Sequence, residues 1–140
     1  MIKFEKIPPS ILSSFSEMQK VLAEDANVIF AYLFGGLAKG PVKPLSDIDI
    51  AVYVKDIRNL AEYKFELFDK LTDILDTAEQ DIVILNTASI SITGRILQNK
   101  QILVDKNPLL RHTYESLTLR EFFDFRIMEE AILYRRYGLG

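Results

Sequence analysis

The stretch SDIDIAVYV, residues 46–54, constrains the fold more than any other: it is patterned as a strand bound for the interior, yet carries Asp47 and Asp49 near its start. Side chains alternate along a strand, so Asp47 and Asp49 share one face and Ile48 and Ile50 the other. Taking an unpaired carboxylate out of water is costly enough that the group pairs or neutralises, and two on one face need a common partner. Lying about 7 Å apart at their bases, they can converge on one cation or flank a pair of ions about 3.5–4 Å apart. The spacing alone fits equally well a solvated strand end, or ion pairs with Lys39 and Lys43.

The residues before the strand tip that balance toward a metal. VIFAYLFG (Val28 to Gly35) is an apolar, β-branched and aromatic run closed by glycine, as in a strand covered on both faces. Gly35-Gly36 lets the backbone turn sharply and approach a ligand closely. Its N–H groups are placed to hold phosphate oxygens, the more so if LAK begins a helical turn. Lys39 follows the turn directly and is the candidate phosphate ligand; Lys43 reads as a solvated loop lysine. Asp81 heads a further strand, DIVIL, and completes an acidic cluster if that strand lies beside SDIDIAVYV. Glycine turn, lysine and carboxylates together make a site for a metal-chelated nucleoside triphosphate, because Mg²⁺ takes oxygen ligands from one or two carboxylates plus substrate phosphates.

Around this centre the chain alternates helices and strands. Ser10 can cap a helix carrying Ile11, Phe15, Met18 and Leu22 on one stripe; Leu60, Tyr63, Leu67, Phe68, Leu71, Ile74 and Leu75 mark a second. Gln80–Asn86 and Gln101–Val104 read as strands, with the β-branched segment TASISITGRILQNK between them favoured as a short helix by the order of elements. Asn107-Pro108 is a cap and first turn, opening an aromatic-rich helix to about Tyr137. The class is therefore α/β or α+β around one central sheet, a single domain over residues 1–140. With no cysteine, thiolate metal sites and disulfides are excluded and the expected setting is cytoplasmic; one histidine, His112, excludes a multi-histidine metal site. A net charge of −3 gives no general affinity for nucleic acid, and no apolar run is long enough to span a membrane. Tyr114, Phe122, Phe123, Phe125, Tyr134 and Tyr137 are more than a domain this size buries easily, so part of the last helix is expected to form a self-association or partner patch.

Gly35-Gly36, ten intervening residues and Asp47-Ile48-Asp49 resemble the signature of the DNA polymerase β-like nucleotidyltransferase superfamily in its minimal (MNT) branch. The likeness extends over nearly the whole chain: DIVIL is similar to the strand bearing the family's third carboxylate, and LRHTYESLTLREFFDF to the tail of MNT antitoxins paired with HEPN toxins. It implies a mixed sheet of about four strands flanked by helices, with a C-terminal helical tail. It also implies two Mg²⁺ ions on Asp47 and Asp49, with Asp81 assisting one ion and helping deprotonate the attacking hydroxyl. Gly35 and Gly36 would position the triphosphate of ATP, with Lys39 beside it. The chain is too short to carry the extra domain that holds a second substrate in larger members, so the implied acceptor is a protein: a tyrosine of a cognate HEPN ribonuclease, silenced by transfer of AMP. Gly36 stands where the family usually has serine, and Leu37 where arginine is common. Those departures imply weakened or altered nucleotide handling, and leave as the alternative a fold that neutralises its toxin by binding and occluding it.

Overall fold

The computed structural model describes residues 9–35, 48–75 and 80–138. Within them run α1 (Pro9–Glu24), β1 (Val28–Phe34), β2 (Ile48–Val54), α2 (Leu60–Leu75), β3 (Gln80–Ile84), α3 (Ile90–Gln98), β4 (Gln101–Asp105) and α4 (Pro108–Tyr137). The strands form one mixed sheet in the order β3-β2-β1-β4. β1 pairs antiparallel with both β2 and β4, and β2 pairs parallel with β3. This is the α+β architecture with a four-stranded sheet that the sequence implies.

Both faces of the sheet are covered. On one, Ala31, Leu33, Ile50, Val52 and Val54 bury against Phe15, Met18 and Leu22 of α1 and Leu67, Leu71 and Leu75 of α2. On the other, Phe30, Tyr32 and Ala51 meet Ile96 and Leu97 of α3, with Leu110, Tyr114 and Leu119 of α4 packed alongside. A register shift between Val28 and Phe30 inserts one residue into β1, which is why Val28 keeps the face of Ala31 although three positions separate them. Phe30 and Tyr53 stack at 4.7 Å between ring centroids, and Tyr114 closes on both.

The segment TASISITGRILQNK does contain the helix favoured by element order. Ser89 caps it, accepting from the Ile92 N–H, and Gly94 sits where a Cβ would collide with the ring of Phe122. Glycine in a helix costs about 1 kcal/mol. Here it is offset by letting an aromatic side chain of α4, 1% exposed, lie directly on the α3 backbone. Asn107 caps α4 through the Leu110 N–H with Pro108 next to it, as the sequence predicts. Two expectations shift. Helix α1 begins at Pro9, so Ser10 lies inside it rather than capping it, a place where proline's fixed φ and missing N–H cost nothing. Strand β3 stops at Ile84 rather than Asn86, because the Ile84 carbonyl is taken by the N–H groups of Thr87 and Ala88 in a turn.

A charged network ties α4 to the sheet. Arg111, buried, bonds Asp105 at 2.7 Å and Glu115 at 3.1 Å, and Glu115 accepts from the Tyr32 hydroxyl at 2.6 Å with Lys100 at 3.6 Å. Burial alone would raise the Glu115 carboxyl, but the Tyr32 hydrogen bond, the Lys100 charge and Arg111 hold it below the ordinary value. Burial first, then the same hydrogen bond, pushes the Tyr32 hydroxyl far up, so it stays a donor. Beyond Phe122 the character of α4 changes: Phe123, Ile127, Met128, Ile132, Leu133, Tyr134 and Tyr137 are all exposed. His112 lies on the helix surface, and Arg135 and Arg136 in the exposed last turn.

Candidate active site

The topology brings the end of β1 and the starts of β2 and β3 to one edge of the sheet. Phe34 pairs with Asp49, and Asp49 pairs with Asp81 across the parallel β2-β3 ladder. Neighbouring strands lie about 4.8 Å apart, so the two aspartates stand side by side. By alternation from Ala51 and Val83, both belong to the face that α3 covers. Asp49 is half-buried and Asp81 exposed, so the row opens to solvent at its Asp81 end.

Gly35 completes this edge. Its φ of +80° is one that residues with a side chain rarely adopt, and a Cβ there would sit 3.2 Å from Cγ of Asp49 and collide with its Oδ2. The glycine therefore serves two needs at once: it turns the chain out of β1, and it leaves room for the carboxylate of Asp49 against the backbone. Asp47, Gly36 and Lys39 lie outside the described residues. Among the described residues no group of three His, Asp or Glu side chains gathers in metal-holding geometry. Asp49 and Asp81 offer the hard oxygen donors that suit Mg²⁺.

Helix α3 lies over this row and supplies residues that sequence reasoning missed. Phe34, Gly35, Ile92, Arg95, Ile96 and Asn99 line a cavity of about 260 Å³ on the Gly35 side. On the other side a groove of about 450 Å³ runs past Asp81, Val83 and Lys64, and Ile92 borders both. The signal for Arg95 was present in its helical spacing from Ile92, but it could be read only once the segment was known to be a helix over this edge.

Residues 16–109 match the family model described as polymerase beta, nucleotidyltransferase. No curated protein sequence matches the chain. Solved structures do. A mutant form of the toxin-antitoxin pair MntA-HpeT is 25% identical, with a TM-score of 0.72 over 85% of this chain and 94% of that one. A toxin-antitoxin structure with AMP-PNP is 25% identical, with a TM-score of 0.63 over 85% and 92%. A complex of the tri-AMPylated HEPN toxin of Shewanella oneidensis with its MNT antitoxin shares the fold at 22% identity, with a TM-score of 0.66 over 89% and 95%. The sheet, its acidic edge and the glycine turn define a nucleotidyltransferase-type fold. The chain belongs to the polymerase beta nucleotidyltransferase family.

Proposed function

We infer that this chain is a Mg²⁺-dependent nucleotidyltransferase antitoxin, moving AMP from ATP to a tyrosine of a HEPN ribonuclease partner and so silencing it. The observation that carries the reading is the pairing of Asp49 with Asp81 at the sheet edge where Gly35 packs against Asp49. The toxin-antitoxin assemblies among the similar structures supply the class of partner, and the AMPylated toxin of the Shewanella complex supplies the reaction to look for. Among the described residues no helix is long and apolar enough to cross a membrane.

In this reading Asp47 and Asp49 hold the metal-bound triphosphate and Gly35, Gly36 and Lys39 its phosphate oxygens. Bound Mg²⁺ would neutralise charge on the phosphates and on the leaving pyrophosphate. Asp81, at the open end of the row, takes the proton of the attacking tyrosine hydroxyl and passes it to water. The phenolic oxygen forms a bond to the α-phosphorus as the bond from that phosphorus to the bridging oxygen breaks, releasing pyrophosphate. Holding nucleophile and leaving group in line supplies most of the acceleration.

Incubation with radiolabelled ATP, Mg²⁺ and the HEPN partner should place label on a tyrosine of the partner. Absence of both transfer and nucleotide binding rejects the reading. The second reading, neutralisation by occlusion, is favoured by Gly36 and Leu37. It predicts that a chain with Asp47→Asn and Asp49→Asn still neutralises the toxin, whereas the enzymatic reading predicts that neutralisation disappears.

A further inference from the structure

The cavity beside Gly35 is too small for a whole nucleotide, since sites that enclose drug-sized ligands run to about 300–1,000 Å³ and this one holds about 260 Å³. Its walls are nonetheless specific in chemistry. Phe34, Ile92 and Ile96 present apolar surface, and Arg95 and Asn99 border it. The Arg95 carbonyl accepts from the Asn99 amide at 3.2 Å, but the exposed side chain makes no hydrogen bond or ion pair among the described residues, so the guanidinium plane is available to a ligand. The cavity ends at Gly35, whose backbone lies against the carboxylate of Asp49.

We propose that this cavity seats the base-bearing end of the nucleoside triphosphate, with Arg95 lying on the face of the base. The proposal rests on the nucleotidyltransferase reading above and adds to it where the nucleotide's two ends go. A flat base suits walls of isoleucine and phenylalanine, and an arginine plane stacks on any base face. The phosphates then extend past Gly35 to the Asp49-Asp81 row, leaving the groove beyond Asp81 for the acceptor. Placed the other way round, the triphosphate would lie among apolar side chains, and the base would face carboxylates with which it cannot stack.

The test is equilibrium binding of two probes in Mg²⁺ buffer, ATP and inorganic tripolyphosphate, to the full chain and to Arg95→Ala. Because the exposed Arg95 side chain makes no hydrogen bond or ion pair among the described residues, the variant should melt like the wild type. ATP affinity should fall about tenfold, the scale of one lost stacking contact, while tripolyphosphate affinity changes less than about twofold. Ile92→Asp, which puts a charge into the cavity wall at a half-exposed position, should weaken ATP in the same selective way. Equal losses for both probes would mean that Arg95 meets phosphate and would overturn the assignment, as would unchanged ATP binding in both variants. Failure of the wild type to bind ATP at all would instead overturn the nucleotidyltransferase reading, and this one with it.

Discussion

The two ends of the sheet are built on opposite plans. At the end where β2 finishes, side-chain amides close what the strands leave open. Asn86 accepts from the Val54 N–H and donates to the Val54 carbonyl, both at 2.9 Å, standing in for a strand residue after β3 has turned away. Asn27 does the same for Asp56, donating to its carbonyl at 3.1 Å and accepting from its N–H at 2.7 Å. Even the exposed Asp56 carboxylate is engaged: hydrogen bonds from Arg58 lower it to about 2. At the other end the chain places two neighbouring carboxylates, a glycine at positive φ and an arginine without a partner among the described residues. One end closes its strands with side-chain amides, while the other sets two carboxylates and a glycine turn beside an open groove, which is the physical mark of a site.

Substitutions that sort by end make this contrast testable. Asp49→Asn should reduce AMP transfer by more than about a hundredfold, because metal-held charge stabilisation is worth several powers of ten in rate, while the melting temperature stays near the wild-type value. A large loss of stability without loss of transfer would reverse the assignment of the ends. Phe122→Ala should cost about 3–5 kcal/mol in denaturant unfolding, by emptying the contact with Gly94 and loosening α3 over the open edge, so that stability and transfer fall together. Asn86→Ala, at the closed end, should cost about 1–3 kcal/mol by leaving the backbone groups of Val54 unpaired, with transfer per folded molecule unchanged. The smallest effect concerns the Glu115 network. Its folded pKa lies below the ordinary 4.5, so its contribution is present above that value and is lost as pH falls through the folded value. Glu115→Gln should therefore cost about 1 kcal/mol at neutral pH and flatten the acid side of a stability-pH curve measured by urea unfolding.

The same contrast explains what could be read in advance. The stripe of Phe15, Met18 and Leu22 in α1, that of Leu67, Leu71 and Leu75 in α2 and the cap at Asn107 are local patterns, and each falls where its pattern puts it, whereas the end of β3 does not. Asp49 and Asp81 could be nominated from the sequence, but their adjacency depends on β2 and β3 pairing in parallel with a register that no local pattern specifies. Arg95 was less legible still, since its meaning comes from α3 crossing the glycine turn. Asn86 looked like the last residue of a strand. Its amide imitates a strand residue well enough to hide that the backbone had already turned.

Gly94 and Phe122 carry one more implication, for how this chain can drift over generations. With the ring resting on bare backbone, a side chain added at position 94 meets Phe122 unless position 122 is trimmed as well. Change at either position therefore constrains change at the other.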